Sequence, residues 1–283
     1  MHRLLAPFVL AAVLAACTAN PISGRQQLML VSEDSAISES LQEYRQMVGQ
    51  YRKQGKLSTD SRLIARVHRI TDRLIDQAVQ YRPETADWTW RVEVIDDPKT
   101  VNAWCMPGGK MAVYTGLIEK IQPSDDELAQ VMAHEISHAL LKHGAEKMSM
   151  SMVAGGVVAA AAISDRDGGN YAPLAQMVAL GAILLPNSRE AESEADRVGL
   201  GLAARAGFNP HAAVTLWDKM VRESGDNSRF DWLSTHPAGV RRMEALAAME
   251  QDELPFYEAA PRLKSARRAW TTISPAASRA VSE

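Results

Sequence analysis

Hydrophobic and polar residues along this chain alternate in two rhythms. Between Ser61 and Tyr81, the residues Leu63, Ile64, Val67, Ile70, Leu74, Ile75 and Val79 recur every three or four positions, the spacing of one helix face. An earlier helix is expected from about Ser32-Glu33-Asp34, where a serine followed by acids suits a helix N-terminus. From Trp88 to Thr115 the rhythm shortens to strict alternation, with Trp88, Trp90, Val92 and Val94 on one face, which predicts strands. Pro107-Gly108-Gly109 divides Val101–Met106 from Lys110–Tyr114 and predicts a hairpin. Helical spacing returns at Ser124, where Ser-Asp-Asp-Glu offers an N-cap with Glu127 three residues on. It continues through Leu128, Val131, Met132, Ile136, Leu140 and Leu141, with Gly144 as the expected end.

Two apolar stretches follow, Met152 to Ile163 and Leu174 to Leu185, separated by a loop from Ser164 to Asn170. Each is too short to cross a bilayer, and both read as buried helices near the site or as an apolar flap that contacts a membrane. Further helices are expected from Pro186-Asn187-Ser188 to Gly207, from Asn209-Pro210 to about Gly225, and from His236-Pro237 to about Met249. The pattern predicts an α+β fold, mostly α, with a small sheet or hairpin beside the helix that starts at Ser124. One domain spans 32–253, and the tail, 254–283, is peripheral.

The first residues follow neither rhythm. A short basic start, His2 and Arg3, leads into an apolar run from Leu4 to Ala16, interrupted by Pro7 and ending at Cys17. This reads as a secretory signal peptide over 1–16 and not as a spanning helix. Leu14-Ala15-Ala16-Cys17 resembles the lipobox of bacterial lipoproteins, which implies that Cys17 is lipidated and followed by a tether over 17–31. Thr18 in the next position implies the periplasmic face of the outer membrane. Cys105 is then left without an intramolecular disulfide partner. It sits in an apolar run and reads as an inert buried thiol.

Composition narrows the function classes. With 283 residues, 46% hydrophobic residues and a formal net charge of -3, the chain can bury a real core. It has no dense basic run, so nucleic acid is not an expected partner.

The chemistry concentrates in His134-Glu135-Ile136-Ser137-His138. Positions four apart share a helix face, so two imidazoles reach one ion with Glu135 standing beside them as a base. A catalytic zinc site needs a third protein ligand and a fourth position for water. A third histidine at position 144 would require glycine at position 141. Leucine stands at 141 and glycine at 144, so that option fails. His143 falls about 140° round a continuing helix from His138 and reads as a solvated or capping residue. The other source is a carboxylate from the helix after Asn187. Helical spacing there puts Glu190, Glu194 and Arg197 on one charged, ion-paired face and Glu192 with Asp196 on another. Ala195, Gly199 and Ala203 lie alongside the second face, and these small residues permit close approach to the HEISH helix. Glu192 is therefore the expected third ligand, with Asp196 accepting the free N–H of a ligating histidine.

DDELAQVMAHEISHAL, SREAESEADRVG, STHP and NAWCMPGGKMAVYTG together resemble the zinc metallopeptidase family of HtpX and the CAAX prenyl endopeptidases, most closely its BepA/LoiP-like periplasmic branch. The similarity runs from about Leu57 to Met249. It implies a zincin-like fold, one zinc ion per chain, Glu192 as a ligand and Asp196 behind it. It also implies a site role for His236, as a self-inhibiting switch or a stabiliser of the transition state, and a less defined one for Arg242. The branch's long helical-repeat region has no counterpart after Met249.

The expected activity is zinc-dependent endopeptidase cleavage, with Glu135 moving the proton and His236 or Arg242 stabilising the oxyanion. Substrate is expected to lie along the strand Lys110, Met111, Ala112, Val113 and Tyr114 by β-augmentation. The implied substrates are unfolded or misassembled envelope proteins, with an association with outer-membrane assembly machinery. The alternatives are a zinc-bearing chaperone or assembly factor that cuts little or nothing, and a lipoprotein whose metal is purely structural.

Overall fold

The computed structural model describes residues 17–164, 187–224, 236 and 240–260. The expected signal segment 1–16, the stretch Leu174 to Leu185 and the last residues, 261–283, lie outside the described residues. The chain forms a mostly helical domain with one small mixed sheet against its central helix. Among the described residues no helix is long and apolar enough to cross a membrane.

Helices α1 (Glu33–Lys53) and α2 (Ser61–Tyr81) start where the sequence predicts. The Ser32 side chain accepts from the Ser35 N–H, and Asp60 accepts from Arg62 and Leu63, so orphan N–H groups at each first turn are satisfied. In α2 the predicted stripe is the buried one: Val67, Ile70, Leu74 and Ile75 sit in the main core, with Leu63, Ile64 and Val79 against its edge.

The strands are β3 (Arg91–Ile95), β4 (Ala103–Met106) and β5 (Lys110–Tyr114), in the order β3-β5-β4. The hairpin forms as expected, with Ala103 opposite Val113 and Met106 opposite Lys110. Its turn takes positive φ at Gly108 (78°) and Gly109 (72°), which glycine adopts without strain. A Cβ on Gly109 would also meet the Trp90 ring at 2.4 Å. The alternation starts later than predicted, because Pro83–Asp87 forms a 3-10 turn and β3 begins only at Arg91.

One expectation about this sheet is overturned. Lys110–Tyr114 was expected to receive substrate, yet β5 is the central strand, parallel to β3 on one side and antiparallel to β4 on the other. Its ladder groups face neighbours on both sides, so no further strand can add to it. The edge beside the central helix belongs to β4. Periodicity shows that a strand exists but not where it stands in a sheet.

After β5 comes a short helix the sequence reading missed, α3 (Thr115–Ile121), and then the central helix α4 (Asp125–Leu140). The α4 N-terminus is a full capping box: Ser124 accepts from the Glu127 N–H while the Glu127 carboxylate accepts from the Ser124 N–H. Every residue of α4 from Glu127 to Leu140 is buried. The helix stops at Leu140, Lys142 turns left-handed with φ 58°, and α5 (His143–Ser164) begins at once. Gly144 is thus inside a new helix and not the stop of the old one.

The two remaining helices of the core, α6 (Arg189–Arg205) and α7 (His211–Ser224), pack against α4. Helix α8 (Val240–Ala259) packs on both and runs well past the expected end at Met249. Glu253 pairs with Arg205 at 2.9 Å, and the same guanidinium lies 3.6 Å over the Phe256 ring. The part of the tail up to Ala259 is therefore attached to the fold through α6.

The segment expected to be a tether is also structured. Strands β1 (Cys17–Ala19) and β2 (Gln26–Leu28) form an antiparallel hairpin. Asn20 and Gln27 are buried, and both donate to the Leu141 carbonyl, at 2.7 and 2.8 Å. That carbonyl is a C-terminal orphan of α4, so polar side chains of the expected tether serve to cap a helix.

Candidate active site

His134 and His138 stand one turn apart on α4, and Glu192 reaches them from the first turn of α6. The His134 and His138 Nε2 atoms are 3.1 Å apart. Glu192 places one oxygen 3.5 Å from His134 Nε2 and the other 3.4 Å from His138 Nε2. His236 brings its Nε2 to 3.9 Å from Glu192 and 3.4 Å from Glu135. One donor atom from each of His134, His138, Glu192 and His236 lies within 4.8 Å of the others, and all four residues are buried.

The close approach of α6 to α4 is built from the small residues picked out in the sequence. Ala195 and Ala203 are fully buried, and a Cβ on Gly199 would sit 3.0 Å from the His134 Cα and N. Larger side chains would hold Glu192 away from the histidines.

These residues fit a zinc ion. Metal–donor arms of about 2.0–2.1 Å in a tetrahedron require donors about 3.3 Å apart, and the three shortest separations lie on either side of that value. Two buried carboxylate oxygens, Glu135 Oε1 and Glu192 Oε2, have no hydrogen bond. Arg242 Nη1 comes to 2.7 Å of Glu192 Oε2 and compensates that carboxylate from one side. Two imidazoles and a carboxylate converging in one buried cluster are the donor types a zinc ion takes.

The metal-free electrostatics point the same way. Burial would lower the pKa of His134, but hydrogen bonds that its ring donates to Asp196 and Glu192 outweigh it and push the value up to about 10. Burial pulls His138 down to about 3, against the help of Glu192, because His134 already carries the charge. Glu192 is held far below the usual carboxylate range, burial being overcome by the two histidines. Glu135 is pushed up to about 8 by burial and the nearby Glu192 charge. Neighbouring groups driven in opposite directions are a mark of functional sites.

Asp196 takes the predicted place. Its Oδ1 is 3.0 Å from His134 Nδ1, which leaves Nε2 of that ring for a metal. Arg242 holds Asp196 with a two-pronged grip, Nε and Nη2 each at 2.7 Å, and its guanidinium lies 4.4 Å over the Trp217 ring. Nε and Nη2 face Asp196 and Nη1 faces Glu192, so Arg242 ties its own helix to the ligand helix. His236, in contrast, lies against the donors as the resemblance implied.

Two site residues escaped the sequence reading. His143 is buried and not solvated: its Nδ1 is 2.8 Å from His138 Nδ1, and its Nε2 is 3.0 Å from Glu194 Oε2. The 140° offset assumed a continuous helix, and the turn at Lys142 removes that premise. Glu194 was assigned to a solvent-facing side of its helix, but the N-terminal hairpin covers it and Arg25 pairs with it at 2.8 Å. The only signal available was a third histidine close behind the motif. Cys105 is partly and not fully buried, and its surroundings push the thiol well above the ordinary value.

Comparison with known proteins agrees with this geometry. The chain is 33% identical over 231 residues to the mitochondrial metalloendopeptidase OMA1 of Schizosaccharomyces pombe, covering 80% of this chain and 64% of that protein. It is also 33% identical over 251 residues to the OMA1 metalloendopeptidase of Bos taurus, covering 84% and 47%. The match to the beta-barrel assembly-enhancing protease of Escherichia coli is 30% over 151 residues, covering 50% and 31%. The chain thus spans between about a third and two thirds of these relatives. The matches to OMA1 cover more of the chain than the match to the bacterial protease, so the comparisons carry the family and not the periplasmic branch. The model of peptidase family M48 matches residues 61–250, which include the HEISH helix, Glu192, Asp196, His236 and Arg242, and the chain belongs to that family of zinc-dependent metallopeptidases.

Proposed function

We propose that this protein is a zinc endopeptidase that cleaves unfolded or misassembled envelope proteins at the periplasmic face of the outer membrane, anchored there through Cys17. The observation that carries the peptidase reading is Glu135. Its carboxylate is buried beside the donor cluster with Oε1 free of hydrogen bonds, and metal binding alone needs no such group. A zinc ion held by His134, His138 and Glu192 supplies Lewis acidity toward a scissile carbonyl and lowers the pKa of water. Glu135 takes the proton of the attacking water and passes it to the leaving amine. An extended substrate pairs with the outer edge of β4, Ala103–Met106, the strand that packs against α4. Its backbone contacts select for extended chain and not for sequence, which suits unfolded substrates.

His236 closes the donor cluster as a third imidazole and fourth donor, and in this reading it keeps the resting enzyme latent. The envelope assignment is supported by the lipobox-like sequence ending at Cys17, which is exposed at the start of the hairpin. The name of the Escherichia coli relative adds a link to β-barrel assembly, and the assembly machinery of the outer membrane is the corresponding partner.

The test is Glu135→Gln beside the wild type, with zinc content and cleavage of an unfolded porin measured together. Zinc should stay stoichiometric while cleavage falls by about 10²- to 10⁴-fold. Undiminished cleavage in the variant would overturn the mechanism. A wild type that binds zinc and porin without cutting, even with His236→Ala, would favour the chaperone alternative.

A further inference from the structure

The two ligating histidines are held from behind by different devices. Behind His134 stands the pair Asp196 and Arg242. Behind His138 stands a chain of three residues that begins in the N-terminal hairpin. The two Nδ1 atoms of His138 and His143 are 2.8 Å apart, so one proton lies between them. When His138 offers Nε2 to a metal, its proton must sit on Nδ1. His143 then accepts at Nδ1 and carries its own proton on Nε2, which it donates to Glu194 Oε2 at 3.0 Å. The same oxygen accepts from Arg25 Nε at 2.8 Å. Arg25 also grips Glu146 on α5 with both terminal nitrogens at 2.6 Å.

The hairpin thus joins α5 to α6 and caps the break between α4 and α5. Asn20 and Gln27 hold the Leu141 carbonyl, next to the left-handed Lys142 that brings His143 back under His138. With both imidazoles neutral, the hydrogen-bond directions along the chain admit one assignment, and that assignment leaves Nε2 of His138 free to bind.

The geometry points to a role for the N-terminal hairpin in completing the metal site: through Arg25, Glu194 and His143 it fixes the ring of His138 with Nε2 turned to the ion. His143 and Glu194 are positioning residues that touch neither substrate nor metal. Metal affinity then depends on the docking of residues 17–28, so whatever displaces that segment also loosens the ion.

The experiment uses the full chain and zinc alone as the probe. Variants are His143→Ala, Glu194→Gln, Arg25→Met and Arg25→Lys, with Glu146→Gln, which loosens the hairpin's docking but leaves the relay's own groups unchanged and should weaken zinc binding less than Arg25→Met. Three quantities are read: the zinc dissociation constant by chelator competition, the melting temperature without metal, and the ¹⁵N signature of the His138 ring in the zinc-loaded protein. His143→Ala should weaken zinc binding by about 10- to 100-fold. Arg25→Lys should retain more affinity than Arg25→Met, and wild-type His138 should be protonated at Nδ1. Zinc binding in His143→Ala within twofold of wild type would overturn the relay. So would a loss of affinity that simply follows the metal-free melting temperature across all five variants. A wild type that binds no zinc would sink the metal-site reading itself, which keeps the two failures distinct.

Discussion

Gly199 lies where α6 touches α4, and replacing it with alanine pits two known effects against each other. Alanine is favoured over glycine inside a helix by about 0.8–1.0 kcal/mol. The new methyl, however, would sit 3.0 Å from the Cα and N of His134 and 3.2 Å from the Ala133 carbonyl carbon. All three are backbone atoms of the motif helix and cannot swing aside, so the helices must part by a few tenths of an ångström. Overpacking of this kind costs about 1–3 kcal/mol, which makes Gly199→Ala between neutral and about 2 kcal/mol destabilising. The larger effect should fall on the metal. Donor distances tolerate only about 0.2 Å, and the methyl pushes on the backbone of a ligand while α6 carries another. We expect zinc affinity to drop about tenfold or more, some 1.4 kcal/mol. Gly201 provides a matched control on the same helix. A Cβ there would meet only the ends of the Arg205, Tyr81 and Glu253 side chains, at 3.0–3.2 Å, which can yield. Gly201→Ala should therefore keep its zinc affinity and gain up to about 1 kcal/mol. Urea unfolding of the zinc-free proteins and chelator competition measure both quantities. A Gly199→Ala variant that gains stability like Gly201→Ala and binds zinc as tightly as wild type would refute the close-approach argument.

Three further outcomes are expected. Arg242→Lys keeps the charge but loses the two-pronged grip on Asp196, so zinc affinity and kcat/KM should each fall by about 10- to 100-fold, while wild-type values for both would show that the grip is dispensable. Glu127 is buried, which would raise its pKa, yet Lys219, the Ser124 N–H and Thr215 together hold it below the usual value. A depressed folded-state pKa gives stability that is present above the unfolded value of about 4.3 and is lost as pH falls through the folded one. The stability gap between wild type and Glu127→Gln should thus be constant near pH 6–7 and shrink below about pH 4.3, and a gap independent of pH in urea unfolding of chelated protein would contradict this. Chelation should lower the melting temperature yet leave the helical circular dichroism at 25 °C intact, because the core around Leu74, Met111 and Met132 assembles without the ion; unfolding on chelation would favour the purely structural metal.

Local rules account for what could be read in advance. The α2 stripe, the capping box at Ser124, the β4–β5 hairpin and the HEISH helix each depend on residues a few positions apart, and each stands where the spacing puts it. The third donor was also legible, because helix periodicity sorts Glu192 and Asp196 onto the face that carries Ala195, Gly199 and Ala203. His236 needed the family resemblance, since a lone histidine before a proline has no periodic signal.

The errors share a different cause. The expectation for Glu194 follows from its charged helix face, that for His143 from a continuous-helix offset, and that for residues 17–31 from the tether that a lipidated Cys17 implies. The structure links the three: the hairpin reaches Glu194 through Arg25, Glu194 holds His143, and the turn at Lys142 delivers His143 to His138. Polar residues that satisfy one another across more than a hundred positions look identical in sequence to polar residues that face water. The place of β5 was lost in the same way, since alternation cannot tell a central strand from an edge. By itself the sequence determined where His134, Glu135, His138 and Glu192 stand on their helices, because periodicity and capping are local. Only the tertiary structure decided which strand of the sheet is central, which groups hold the histidines from behind, and that the N-terminal segment reaches the site, because those depend on which surfaces are covered.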